Sequence, residues 1–475
     1  MLILRQFGSR FLFASLLIFS VLCALCICAC SSSTTGMVVD LVSNPQGAAP
    51  SSAWPGMQEA RRIAPSQELM VGAARLDISP FRPTIMGGYG VYMWSIDNCR
   101  WSDGVHDPIY ATAMYISKNG GDLLIISLDL VGLIGTDMEE IKSRIADQNF
   151  ISPERIIISS THTHHSPDTI GLWGTLIPPE TGRDEDYMSF MKARVVEAAG
   201  MALRSRRPAK LLYSAGELAG PHWNNYELKI ENASLDDTLT LLQAVDENGD
   251  AIVTAMNWGC HPTTEDGDNL KISSDWVGAY YALMERRGAG VPMFLNGSVG
   301  ASIQPSVPWR DEHVGGEGQG FVWAYTMGRE VADAVSGQMQ QMKELEFDSI
   351  SVGTEPVVAT MDNRIFALAR TLGVLTIDLP EMHREFRTKV TAARLGGLTI
   401  ATVPGELSPH LGMMIRQAYG GDAQMIVGLS QDYLGYIIDE QQYADDTFSY
   451  ERMLCVGPDL GMGLVEAHRK LAKGM

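Results

Sequence analysis

Arg155-Ile156-Ile157-Ile158-Ser159-Ser160 runs without a spacer into Thr161-His162-Thr163-His164-His165-Ser166-Pro167-Asp168. The first part is a short β-branched run, the composition of a buried strand. The second is a polar cluster ended by a proline. The same junction recurs three times. Thr254-Ala255-Met256-Asn257-Trp258-Gly259 leads to Cys260-His261-Pro262-Thr263, and Ile400-Ala401-Thr402-Val403 leads to Pro404-Gly405-Glu406. Met425-Ile426-Val427-Gly428 leads to Leu429-Ser430-Gln431-Asp432-Tyr433-Leu434-Gly435-Tyr436. Loops that leave one end of an α/β sheet converge in space, and such folds carry their chemistry there.

Around these junctions, short apolar runs alternate with long amphipathic stretches. Strands are expected at 123–130, 155–160, 239–244, 251–258, 291–295, 398–403 and 424–428, and helices at 137–148, 185–204, 275–287 and 318–345. Asp275, after Ser273-Ser274, is a good N-cap. Asn248-Gly249 between two strands is a hairpin signal, so part of the sheet is antiparallel. The expected fold class is α/β, with mixed β-sheets flanked by helices in one large domain over 71–475.

Hydrophobic residues make up 45% of the 475, which supplies a large core and excludes a disordered chain. Thirty-six basic against 56 acidic residues give a formal charge of −20. Such a surface repels phosphate backbones, so no nucleic-acid partner is expected. At the N-terminus, Arg5 and Arg10 precede an apolar run from Phe11 to Cys28 that is long enough to span a bilayer. Ala29-Cys30 followed by Ser31-Ser32-Ser33 instead has the pattern of a bacterial lipobox, with Cys30 as the lipidated residue. The expectation is a lipoprotein signal peptide over 1–29, a flexible tether over 30–70, and export to the cell envelope with a lipid anchor in the membrane. In a Gram-negative cell this means the outer membrane or the periplasmic face. Cys99, Cys260 and Cys455 remain in the body and allow one disulfide at most.

His162 and His164 stand at i and i+2, on one side of an extended backbone, which suits two imidazoles around one metal ion or one substrate. His261 and Glu406, at other strand ends, are available to complete such a site. The bland alternative is that each histidine caps a strand or bonds a carbonyl. The His-x-His-x-Asp-His pattern of metallo-β-lactamase folds fails, because Ser166 and Pro167 occupy the places of its acid and third histidine. The His-x-His of amidohydrolase barrels belongs near the start of the domain, whereas His162 lies well inside it. A Gly-x-Ser-x-Gly nucleophile elbow is absent.

Further stretches fall in a fixed order. They are Val71-Gly72-Ala73-Ala74-Arg75-Leu76-Asp77, Met86-Gly87-Gly88-Tyr89, Gly104-Val105-His106-Asp107-Pro108, Ser127-Leu128-Asp129, Ser274-Asp275-Trp276, Asn296-Gly297 and Tyr450-Glu451. Together with the histidine and glutamate junctions, this ordered set resembles the neutral/alkaline (non-lysosomal) ceramidase family, over its catalytic domain only. The resemblance implies a zinc-dependent hydrolase that cleaves the amide of N-acylsphingosines (ceramides) or a related N-acyl lipid. It implies Zn²⁺ held by His162, His261, Glu406 and Tyr436, and only the resemblance selects Tyr436 over Tyr433. It implies His164 as a substrate-orienting or proton-handling group, and Gly88 and Tyr450 as substrate-binding residues. His106 and Asp129 are supporting residues, Asp129 being read as a buried carboxylate that ties strand to loop. The family carries a nucleophile-like serine in a Gly-Asp/Asn-x-Ser-Pro-Asn stretch; here Gly300-Ala301-Ser302-Ile303-Gln304-Pro305 offers Ser302 as a shifted candidate. Two other readings stay open: a metal-dependent hydrolase of another small amide or an ester, and a non-catalytic exported binding lipoprotein.

Overall fold

The structure is a computed structural model that describes residues 67–90, 96–176, 178–218, 225–226, 235–300, 303–305, 319–421 and 423–475. The signal segment, most of the tether, Cys30 and Ser302 lie outside the described residues.

The α/β expectation with mixed sheets holds. A nine-stranded sheet runs, in spatial order, Val291–Asn296, Ala251–Trp258, Thr238–Asp246, Arg207–Glu217, Met70–Asp77, Tyr110–Lys118, Gly121–Leu128 and Ile156–Ser160, with Lys343–Glu344 pairing Arg207–Glu217 from the side. Its two ends are parallel pairs, and the middle is antiparallel. A second sheet holds Ile350–Thr360, Glu385–Leu395, Leu398–Thr402 and Ala423–Val427, and its last pair is parallel.

The three parallel pairs are β-helix-β units. Helices Gly135–Asn149, Trp276–Arg286 and Pro409–Tyr419 make the respective crossovers. Hydrogen bonds bring the C-terminal ends of these strands to one place. Ser160 N donates to Leu429 O, Gly428 N to Asn296 O, Leu429 N to Gly405 O, and Asn296 Nδ2 to Thr161 O. The polar junctions therefore meet.

Side-chain alternation explains the layering. In Gly121–Leu128, Leu123 and Ile125 face the second sheet, packing with Leu398, Ile400, Met425 and Val427. Leu124, Ile126 and Leu128 face the helices Gly135–Asn149 and Glu185–Arg204. Trp258 and Met256 meet Trp276–Arg286 and Gln319–Met339, while Ile426 and Ala401 meet Pro409–Tyr419 and Leu460–Gly474. Helices, sheet, sheet and helices form four layers.

The helix expected over 318–345 ends at Met339. Leu345 is drawn into the layer between the sheets, so Lys343–Glu344 lies down on the strand Arg207–Glu217 instead. Cys99, Cys260 and Cys455 are all buried, and none forms a disulfide among the described residues. Among the described residues no helix is long and apolar enough to cross a membrane.

Candidate metal centre

His162 leaves the strand Ile156–Ser160 at φ +71°, a left-handed backbone that a β-carbon normally disfavours. Its N–H is held by Leu130 O, and its Nδ1 donates to Val131 O. His261 is held in the same way, with both its backbone N–H and its Nδ1 donating to Ile303 O. Each carbonyl can only accept, so each bond fixes the tautomer and leaves Nε2 as a bare lone pair. A metal-binding imidazole needs this arrangement.

The two lone pairs converge on Glu406. His162 Nε2 lies 3.4 Å from Glu406 Oε2, and His261 Nε2 lies 3.3 Å from the same oxygen. His164 Nε2 is 3.3 Å from His162 Nε2. His162, His164 and His261 present their ligand atoms within 4.8 Å of one another. Glu406 Oε2 is buried and has no hydrogen-bond partner among the described residues. With both rings neutral, two nitrogen lone pairs and a carboxylate oxygen face one another. A divalent cation resolves that repulsion, and imidazole nitrogens with one carboxylate oxygen are a donor set suited to zinc. The residues fit a metal.

Burial by itself would raise the Glu406 carboxyl, but positive charge on the side of His162 and His261 holds it far below the ordinary range, so the carboxylate pairs with a cation or with a protonated imidazole. Burial, followed by the neighbouring His162, His261, His165 and Arg100, keeps His164 neutral well below its ordinary value. Burial likewise lowers His261. Tyr433 OH donates to the second Glu406 oxygen at 2.9 Å. Burial, and then that carboxylate, raises the phenol far above its usual value, so it stays a donor.

Tyr436 is paired through its backbone with Glu406 in a two-residue parallel ladder, and its ring meets Tyr450 at 5.9 Å. Tyr450 is half exposed on that flank. Gly88 has φ +102°, and a β-carbon there would stand 2.4 Å from His164 Cβ, so only glycine lets His164 sit where it does. His165 turns away from the group: its Nε2 donates to Asp266 O at 3.2 Å, and burial lowers it to about 3. His106 lies apart, stacked on Phe321 at 3.6 Å. Asp129 is the buried tie expected of it, accepting from Tyr110 N, Ser274 Oγ and Tyr281 OH, with burial raising it to about 6.

Three residues at the site were given no role in the sequence reading. Tyr433 was weighed only as the alternative to Tyr436, and Tyr89 was quoted only as the end of the Met86-Gly87-Gly88-Tyr89 stretch. Tyr89 faces the His164 ring edge-on at 4.8 Å, and its hydroxyl donates to Glu265 O. Arg100 bonds the carbonyls around them. No spacing rule singles out either of the last two.

Fold and site together define the class, a four-layer α/β protein with a buried imidazole and carboxylate centre able to hold a metal. Among known proteins, the crystal structure of neutral ceramidase from Pseudomonas aeruginosa matches with a TM-score of 0.69 at 18% identity, over 86% of this chain and 75% of that one. A ceramidase complexed with C2 matches with a TM-score of 0.69 at 17% identity and the same coverage. Neutral ceramidase A of Dictyostelium discoideum is 22% identical over 248 residues, 48% of this chain and 33% of that protein. Neutral ceramidase B of the same organism is 22% identical over 201 residues, 39% of this chain and 28% of that protein. The chain spans about a third of the length of these curated relatives. No family model matches it. The resemblance read from the ordered motifs therefore holds, and the chain has the neutral ceramidase fold.

Proposed function

We propose that the protein is a zinc-dependent amidase that cleaves an N-acyl lipid, with ceramide as the substrate of choice. The observation that carries this reading is the convergence of His162 Nε2, His261 Nε2 and Glu406 Oε2 on the neutral ceramidase fold. These three side chains would hold the ion, with Tyr436 as the fourth ligand. A bound zinc ion lowers the pKa of water to about 7 and polarises a carbonyl, the two things that amide hydrolysis requires.

The remaining work falls to the protein. Val131 O and Ile303 O keep the two imidazoles in the ligating tautomer, and Tyr433 keeps Glu406 turned toward them. The amide C–N bond breaks, the oxygen of water ends on the acyl group, and the departing amine takes up a proton. His164 is neutral and beside His162, so it can accept a proton from the attacking water and return one to the amine. Tyr450 and Gly88 would flank the substrate, Gly88 by leaving His164 its place.

The test is metal analysis of the purified body alongside hydrolysis of a fluorogenic ceramide. About one zinc per chain with turnover is expected. Turnover of short esters but not of ceramide would move the protein to another hydrolase class. Stoichiometric zinc with no turnover on amides or esters would leave a binding protein. The lipid anchor belongs to the same proposal. Cys30→Ala should shift the protein from the membrane fraction to the soluble one, and an unchanged distribution would refute the anchor.

A further inference from the structure

Arg100 lies largely buried at the back of the site, with no carboxylate within ion-pairing distance among the described residues. Its guanidinium spends its donors on backbone carbonyls. Nη1 bonds Gly87 O at 3.0 Å and His164 O at 3.2 Å, Nε bonds Gly267 O at 2.8 Å, and Nη2 bonds Asn269 O at 2.8 Å. Its carbon sits 4.9 Å from the centre of the Tyr89 ring. Tyr89 in turn faces His164 edge-on and donates to Glu265 O. One cation therefore joins three segments distant in sequence: the Gly87-Gly88-Tyr89 turn, the His164 loop, and the loop that follows His261. Burying a guanidinium with no carboxylate in direct contact is costly, and its full set of carbonyl acceptors offsets that cost together with the more distant Asp266, Glu265 and Asp268. A lysine ammonium, with three donors on a single point, cannot span four carbonyls in a plane.

We infer that Arg100 is a positioning residue: its planar fork sets the height and tilt of the His164 imidazole against His162, and fixes Tyr89 as the wall behind it. The inference deepens the hydrolase reading and rests on it for the role of His164. Arg100 touches none of His162, His261 and Glu406, so metal retention and His164 placement should separate.

The experiment compares Arg100→Lys and Arg100→Gln with the parent chain. The first readout is free of activity. In the metal-free protein, the rate of carbethoxylation of His164 by diethylpyrocarbonate is followed by peptide mass spectrometry, with the fully buried His468 as internal reference. A rise of at least fivefold at His164, with His468 unchanged, is expected in both variants. The second readout is zinc retention against a chelator, expected within threefold of the parent. The third is turnover of the fluorogenic ceramide, where kcat should fall 10- to 100-fold with KM within threefold. An unchanged His164 modification rate in both variants overturns the inference. So does loss of the cooperative thermal transition in both, which would make Arg100 a purely structural staple. Absence of turnover in the parent chain would sink the hydrolase reading alone, because the modification rates would still report on His164.

Discussion

Among the described residues, one hydroxyl holds the outer oxygen of Glu406. Tyr433 OH holds Oε1, which leaves Oε2 to face the two imidazoles. Tyr433→Phe removes that bond while keeping the ring in place, and partners of this kind are worth roughly 10- to 100-fold in metal affinity. Zinc affinity should drop by that factor in a chelator competition, with the unfolding midpoint of the metal-free protein nearly unchanged; equal affinity would mean that the imidazoles alone orient the carboxylate. Gly88 fails differently. In Gly88→Ala the new methyl collides with His164, and the φ of +102° becomes strained by about 1–3 kcal/mol. Turnover should fall at least tenfold with zinc retained, and a fully active Gly88→Ala would show that His164 has no proton to handle. His162, His261 and Glu406 were legible because each directly follows a run of strand-forming residues. Arg100 and Tyr89 were not, since a side chain whose partners are backbone carbonyls leaves no mark in residue spacing.

The same contrast holds for whole elements. The crossover strands such as Ile156–Ser160 and Ala423–Val427 are buried on both faces, so they read as continuous apolar runs, and Ala251–Trp258 and Glu185–Arg204 fall on their expected bounds. Ile350–Thr360 and Arg207–Glu217 escaped notice because half-exposed faces dilute their pattern with Lys, Glu, Gly and Pro. The last helix, Leu460–Gly474, was also missed, and it docks through a buried histidine. Tyr419 OH donates to His468 Nδ1 at 2.7 Å, and His468 Nε2 donates to Thr402 O at 3.0 Å. Burial lowers His468 to about 4. Above pH 6.5 the residue is neutral in both folded and unfolded chains and contributes no pH dependence. As pH falls from 6.5 toward 4 the unfolded chain takes up the proton first, so stability is lost, by about 2 kcal/mol at pH 5. Urea unfolding of His468→Gln at pH 7 and pH 5 should show a loss smaller by about that amount than the parent shows. Parallel losses in the two proteins would mean that the helix does not depend on a neutral imidazole.

The candidate ligands come from the ends of strands in both sheets. His162 and His261 follow strands of the nine-stranded sheet, while Glu406 follows Leu398–Thr402 of the second. A cation at their meeting point ties the two central layers together at one end, and every ligand must be in its native place for it to bind. Without an ion, the same end keeps Glu406 Oε2 buried, with no hydrogen-bond partner among the described residues, opposite the Nε2 atoms of His162 and His261. Metal binding should therefore appear as stability of the whole molecule rather than of one loop. An ion that binds only the folded chain adds about 4 kcal/mol when its free concentration is a thousandfold above its dissociation constant. At a fixed scan rate, chelation should lower the thermal midpoint of the entire transition by several degrees, and added zinc should restore it. Glu406→Gln should start near the chelated midpoint and respond to neither treatment. A parent midpoint indifferent to both chelator and zinc would mean that the two sheets hold this end closed unaided, and that the three atoms are not gathered around an ion.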